Sequence, residues 1–186
     1  MLRHVAAEPN LQALFEYWDR KRAGEAMPNR NIIDPIEIGP KLLPGIVLYE
    51  GIQPGERVRY RLAGTEIANQ FGRDPTGKYL DDILSGSYHE YVVSLIHNVC
   101  LHSAVVYSES AFRWNDGGFQ RTRRLMLPLS WRGNCPGLVL SAQTFGPLID
   151  PSAPPLTLIH RPGTIEELVH EESPIGMVRS KRQAVS

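Results

Sequence analysis

The chain is poor in the residues on which small secreted domains and metal-binding domains depend. Its 186 residues include two cysteines, Cys100 and Cys135. Two cysteines so far apart form neither a disulfide framework nor a clustered thiolate site. Charge of one sign is not in excess either, because Lys plus Arg and Asp plus Glu both number 20. A balanced chain has no overall field that favours nucleic acid or an anionic membrane, so we expect neither as a partner.

Long apolar runs are also absent from the sequence. None approaches the roughly 18 residues that a membrane-spanning helix needs. The first ten residues, MLRHVAAEPN, lack the apolar centre of a secretory signal. We therefore predict a cytoplasmic protein that does not enter a membrane.

The motifs of common catalytic sites are missing as well. The chain contains no Gly-x-Ser-x-Gly, no HExxH, no P-loop and no GxGxxG. Asp81 and Asp82 are an adjacent pair of carboxylates, but neighbours on a short helix point in different directions. We therefore predict that the chain is not an enzyme.

Two amphipathic helices stand out in the sequence. The first covers Leu11–Lys21, and its apolar stripe needs a partner, either a sheet or a second copy of the chain. The second and longer helix is predicted to begin at a capping box of Ser87 and Glu90 and to end at about His102. Its apolar stripe consists of Tyr88, Val92, Leu95, Ile96 and Val99.

Strand patterns surround the longer helix. Val58, Tyr60 and Leu62 alternate with arginines, which predicts an antiparallel strand with one buried face. Short helices are expected after Thr65 and at Tyr79–Leu84. The other predicted strands are Ile46–Glu50, Ala104–Asn115, Phe119–Leu129 and Leu138–Phe145, with an Asp116-Gly117-Gly118 turn between the second and the third of these.

This order of elements, together with a set of short motifs, resembles the PAS domain. More narrowly, it resembles the single-domain PAS family found mainly in alphaproteobacteria. The motifs are Tyr17-Trp18 with Arg22, Met27-Pro28-Asn29-Arg30, Asp34-Pro35, Leu43-Pro44, Tyr60-Arg61-Leu62-Ala63-Gly64-Thr65, Gly72-Arg73-Asp74, Thr76-Gly77 and Leu127-Pro128-Leu129. The resemblance implies an α+β fold: a five-stranded antiparallel sheet with helices on one face, plus an extra N-terminal helix.

Three segments follow from this interpretation. Residues 1–9 would form an N-terminal arm and residues 10–146 the PAS-like domain. Residues 147–186, which include Ala153-Pro154-Pro155, would form a Pro-rich and partly disordered extension.

The resemblance implies a sensory or regulatory module that binds a small apolar ligand between the long helix and the sheet. The side chains expected to line the pocket are Tyr60, Val92, Ile96, Val99, Phe112 and Trp114. Ordinary core packing explains the same residues equally well.

The sequence does not favour the common PAS cofactors. Haem-binding relatives use a histidine near the long helix, but His97 is expected to face solvent and His102 to cap the helix end. Light-sensing relatives carry a reactive cysteine before that helix, and residues Gly72–Leu84 contain none. A cysteinyl-flavin adduct is therefore disfavoured, and the identity of any cofactor stays open.

An alternative interpretation is a ligand-free adaptor or dimerisation module. Its docking surface would comprise Leu11, Leu14, Phe15 and Trp18 of the first helix, with Arg121 and Arg123 on the sheet. Under either interpretation the signal would pass to a regulatory partner protein such as a signalling kinase, and a homodimer is possible.

Overall fold

The structure, a computed structural model, describes residues 8–53, 55–114, 119–131, 133, 135–149 and 176–178. For residues 111–114, 119–120, 147–149 and 176–178 the description is limited to the backbone. Five antiparallel strands form the sheet, and helices cover both of its faces. This confirms the α+β class, the five-stranded sheet and the additional N-terminal helix.

Seven strands are present in the described residues, and the last and the third of them are short additions at one edge. Along the sheet their order is β2-β1-β6-β5-β4-β7-β3. Their bounds are β1 Ile46–Glu50, β2 Arg59–Ala63, β3 Leu84–Ser85, β4 Val106–Trp114, β5 Phe119–Ser130, β6 Pro136–Ile149 and β7 Gly176–Val178.

The first helix, α1 (Pro9–Arg22), packs against β5 and β6. Proline is suited to the first turn of a helix because its missing N–H would have no helical partner there. The cations of the last turn, which include Arg22, complement the negative end of the helix dipole. The indole of Trp18 is fully buried, and its Nε1 donates a hydrogen bond of 2.9 Å to the carbonyl of Pro128. The stripe of α1 therefore packs on the chain's own sheet.

Four further α-helices occur in the described residues, one before the first strand and three between strands. They are α2 Pro35–Ile38, α3 Thr65–Phe71, α4 Leu80–Ile83 and α5 Gly86–His102. Helices α3, α4 and α5 cover the face of the sheet opposite to α1, which we call the inner face. Each face of the sheet therefore has its own apolar core.

Helix α2 has a side-chain cap at its start, whereas the cap predicted for α5 needs correction. Asp34 caps α2, since its carboxylate accepts a 2.8 Å hydrogen bond from the N–H of Ile36. Helix α5, by contrast, begins at Gly86 after Ser85, so the predicted capping box of Ser87 and Glu90 is not its start. Ser87 is the second residue of the helix and Glu90 the fifth.

The chain packs closely where β2 passes into α3. A Cβ on Gly64 would overlap the carbonyl oxygens of Leu43 and Pro44. The N–H of Gly64 also donates a 2.8 Å hydrogen bond to the carbonyl of Ile46. This position admits only a residue without a side chain, which explains the glycine in the Tyr60–Thr65 motif.

The C-terminal extension is described only in part. Residues 147–149 continue β6, and residues 176–178 form β7, which pairs with β3 and with β4. The predicted linker at Ala153-Pro154-Pro155, the tail after Ser180 and the turn at Asp116-Gly117-Gly118 lie outside the described residues. None of the described helices is long and apolar enough to cross a membrane.

Candidate functional site

A band of buried polar side chains crosses the inner face of the sheet. Alternation along three neighbouring strands directs these side chains towards α5, among apolar residues. All are at most 6% exposed: Ser108, Ser110, Thr122, Arg124, Ser141 and Gln143. Buried polar groups cost free energy unless they are paired, so a band of six is a candidate site rather than simple core.

Arg124 lies at the centre of this band. On β5 it is directly opposite Ser108 of β4 and Gln143 of β6. Its Nη1 donates a 2.9 Å hydrogen bond to the hydroxyl of Ser110, and its guanidinium lies over the ring of Tyr88 at 5.3 Å from the ring centre. Its Nε is buried and meets no acceptor among the described residues.

Burial dominates the electrostatics of this site. It lowers the pKa of Arg124 to about 10, although the nearby phenols of Tyr49 and Tyr60 oppose that change. The group therefore stays charged at neutral pH. Burial also raises the pKa of Tyr49 to about 12 and that of Tyr60 well above its usual value, so both phenols stay protonated.

A small enclosed cavity adjoins Arg124 between the inner face and the helices. Its volume is about 10 Å³, which is room for roughly one water molecule. The residues that line it are Tyr49, Tyr60, Phe71, Leu84, Tyr88, Val92, Arg124, Gln143 and Phe145. The amide Nε2 of Gln143 donates a 3.2 Å hydrogen bond to the Tyr49 hydroxyl and so fixes one wall.

A larger groove of about 250 Å³ opens on the surface beside this cavity. It lies between the start of α1, the segment 41–45, α3 and the middle of β6, with Lys41 and Glu66 among its lining residues. Gln143 and Phe145 line both the groove and the enclosed cavity. These two side chains therefore border both spaces.

The structure brings together only some of the predicted ligand-binding residues. Tyr60 and Val92 line the cavity. Ile96 and Val99 belong to the same inner core but do not line it. Phe112 and Trp114 lie in β4, and their side chains are outside the described residues.

The predicted docking stripe of α1 needs correction. Leu11, Leu14 and Trp18 have no exposed surface, and Phe15 is only partly buried beside them. They form the outer core with the sheet, so these three side chains are not available to a partner while α1 stays docked. The stripe was recognised correctly as apolar, but its partner is the chain itself.

The predicted docking surface on β5 is also engaged within the chain. The guanidinium of Arg123 forms 2.6 Å ion pairs with Glu109 and Glu8. The hydrogen bond that Arg123 donates to Glu109 raises the pKa of Arg123. Arg121 is half-buried, and its Nε meets no acceptor among the described residues. Arg123 is therefore not a free anion site.

The described histidines and cysteines lie apart from the band around Arg124. No cluster of three or more potential metal ligands occurs among the described residues. His97 is half-buried with its Nε2 enclosed, so the expectation that it faces solvent is wrong, whereas His102 is exposed. Cys100 is buried, which raises the pKa of its thiol to about 12, and Cys135 is exposed.

Sequence reasoning overlooked Arg124 and Gln143 as site residues. One signal was present: Arg124 falls on the opposite face of β5 from Arg123 and Leu125, because side chains alternate along a strand. Charged and apolar residues share the other face of β5, and only that face was considered as a functional surface. Gln143 had no comparable signal, because its role depends on the partner Tyr49, which is distant in sequence.

Comparison with known proteins gives one family match. The family described as the PAS domain matches residues 6–141. No curated protein matches the sequence. Two solved structures resemble the fold, the LOV protein of Rhodobacter sphaeroides and its d2 variant. Each is 14% identical, has a TM-score of 0.42, and aligns over 54% of this chain and 57% of the other. This chain thus spans little more than half the length of either.

Proposed function

Since the chain belongs to the PAS domain family, we propose that it is a sensory module that binds a small ligand between α5 and the inner face of the sheet. The observation that supports this proposal is the band of buried polar side chains around Arg124, which adjoins an enclosed cavity. A core with only a structural role would contain fewer unpaired polar groups than this band does. The narrower likeness to bacterial single-domain PAS proteins is part of the same proposal.

Ligand entry requires a second conformation. A cavity of about 10 Å³ holds no more than a water-sized molecule. A larger ligand has to displace Phe145 and Gln143, which would join the cavity to the surface groove. A ligand that binds only the open form shifts the population towards it, and this differential affinity is the basis of a signal.

The signal has a short route to the other side of the sheet. β5 carries Arg124 on its inner face and Leu125 on its outer face, where Leu125 packs in the same core as α1. A shift of β5 caused by the ligand would therefore change how α1 is seated. In this proposal the chain has no catalytic activity, and a regulatory partner in the cytoplasm, such as a signalling kinase, detects the change.

Native mass spectrometry of the full chain, purified without denaturation, tests ligand binding. We expect a bound small molecule in wild-type protein and its loss in Val92→Leu, because Val92 lines the cavity. Val99→Leu is the matched control: it is equally buried two turns along α5 but lies outside the cavity lining. Wild-type protein without any bound molecule, or equal loss in both variants, would contradict the proposal.

A second candidate function is a ligand-free adaptor, and the small volume of the cavity favours it. With the α1 stripe buried, the docking residues would have to lie elsewhere. Ile36 of α2 is 87% exposed and is a suitable anchor. Ile36→Asp should then abolish the homodimer or the partner complex, as measured by light scattering. The ligand-free variant should remain folded. Unchanged association would count against this second function.

A further inference from the structure

Arg124 is a buried cation that has no opposite charge beside it in the part of the chain that the structure describes. No Asp or Glu among the described residues forms an ion pair with it, whereas Arg123, the next residue, has two. Within the described ranges, the hydrogen-bond acceptor of Arg124 is the neutral hydroxyl of Ser110. Burying a charge without a counter-charge is among the most costly arrangements in a protein interior. This cost calls for a compensating group that the described residues do not supply.

The guanidinium is also arranged for one kind of ligand. The ring of Tyr88 covers one of its faces, so further partners must approach its edge. Along that edge Nε has no acceptor, and nearby on the same face the hydroxyls of Thr122 and Ser141 also lack partners among the described residues. Edge-on donors of this kind match the oxygens of a carboxylate, which accepts hydrogen bonds in the plane of the guanidinium.

The rest of the cavity wall has a polar part, formed by Tyr49, Tyr60, Tyr88 and Gln143, and an apolar part. Phe71, Leu84, Val92 and Phe145 surround the space beside Arg124. A ligand that satisfies both parts of this wall has an apolar body and one anionic end. Such a ligand differs from the wholly apolar compound that the sequence led us to expect.

We propose that the interior ligand is a small amphipathic carboxylate whose anionic group pairs with Arg124. This inference rests on the proposed function, because it names the chemical class of the ligand for the same site. The carboxylate of the ligand neutralises the buried positive charge of Arg124. The apolar body of the ligand takes the place of Phe145 and Gln143 at the wall that faces the groove.

The test compares two probes with the same chain length, hexanoate and 1-hexanol, on the full chain refolded from guanidinium to remove any bound molecule. We expect hexanoate to raise Tm by about 5–10 °C at 100 times its Kd, and hexanol to have a much smaller effect. Arg124→Met should weaken hexanoate binding at least about tenfold, because a charge-assisted contact is lost. Arg123→Met is the matched control on the same strand, and hexanoate affinity should be unchanged in it.

The ligand-free variants provide a second readout. Replacing an uncompensated buried charge with an apolar side chain is often neutral or stabilising, so ligand-free Arg124→Met should melt at or above the wild-type temperature. If that variant does not fold, Arg124→Lys replaces it: it keeps the charge but loses the planar edge, and it should bind hexanoate more weakly than wild type.

The outcomes separate this inference from the proposed function. Equal stabilisation by hexanoate and hexanol, or full hexanoate binding by the Arg124 variant, overturns the carboxylate assignment and leaves a small-molecule sensor in place. If hexanoate does not bind and native mass spectrometry finds a neutral compound, the carboxylate assignment is likewise overturned and the small-molecule sensor is retained. Failure of both probes together with no bound molecule in the purified protein overturns both proposals.

Discussion

Leu14→Ala and Leu101→Ala remove the same atoms from two helices with opposite surroundings. Leu14 of α1 has no exposed surface and packs on the sheet, whereas Leu101 of α5 is 63% exposed. Truncation of a fully buried leucine costs about 2–5 kcal/mol, since the transfer free energy is lost and a cavity remains. Truncation of an exposed leucine costs about 0.5 kcal/mol or less. We therefore expect a difference of roughly 2–4 kcal/mol in the free energy of unfolding.

Urea denaturation followed by tryptophan fluorescence measures this difference. With a slope of about 2 kcal/mol per molar urea, a loss of 3 kcal/mol moves the midpoint by about 1.5 M. Light scattering on the same samples reports the association state. If α1 were instead a docking element, Leu14→Ala would dissociate a complex and leave the midpoint within about 0.3 M of that of Leu101→Ala. That result would refute the assignment of α1 to the chain's own core.

Two further predictions concern titratable side chains. A thiol reagent at pH 8 should label the exposed Cys135 quickly and Cys100 only after unfolding, because burial raises the pKa of Cys100 to about 12; rapid labelling of both in folded protein would contradict this. Burial raises the pKa of Tyr49 from 10.0 to about 12. The unfolded chain therefore loses this proton first, and stability should fall between pH 10 and pH 12 by about 2–3 kcal/mol. Tyr49→Phe should show a smaller fall in Tm over this range, and an equal fall would exclude Tyr49 as its cause.

Local patterns predicted most of the elements because each depends on residues that are close in sequence. The period of two in Val58, Tyr60 and Leu62 predicted β2, although Leu62 is exposed rather than on the buried face, and the helical stripe predicted α5. Element ends were less well predicted. Helix α5 starts one residue before Ser87, and β6 extends to Ile149 rather than Phe145, because ends depend on partners across the sheet.

The candidate site was predicted only in part for a related reason. Tyr60 and Val92 were expected at the ligand, and both line the cavity. Arg124 was not predicted as a site residue, because composition alone does not distinguish a buried arginine from an exposed one. Its burial depends on the helices that cover the inner face, far away in sequence.

The sequence by itself determined which side chains share a face of each strand and helix, since that follows from the fixed geometry of the backbone. It also determined the family to which the chain belongs. Only the tertiary structure decided what each face contacts: the stripe of α1 lies on the chain's own sheet, and Arg124 lies among phenols, hydroxyls and apolar side chains. Faces are set by local periodicity, whereas their partners are set by contacts between distant segments, and the function proposed here depends on those contacts.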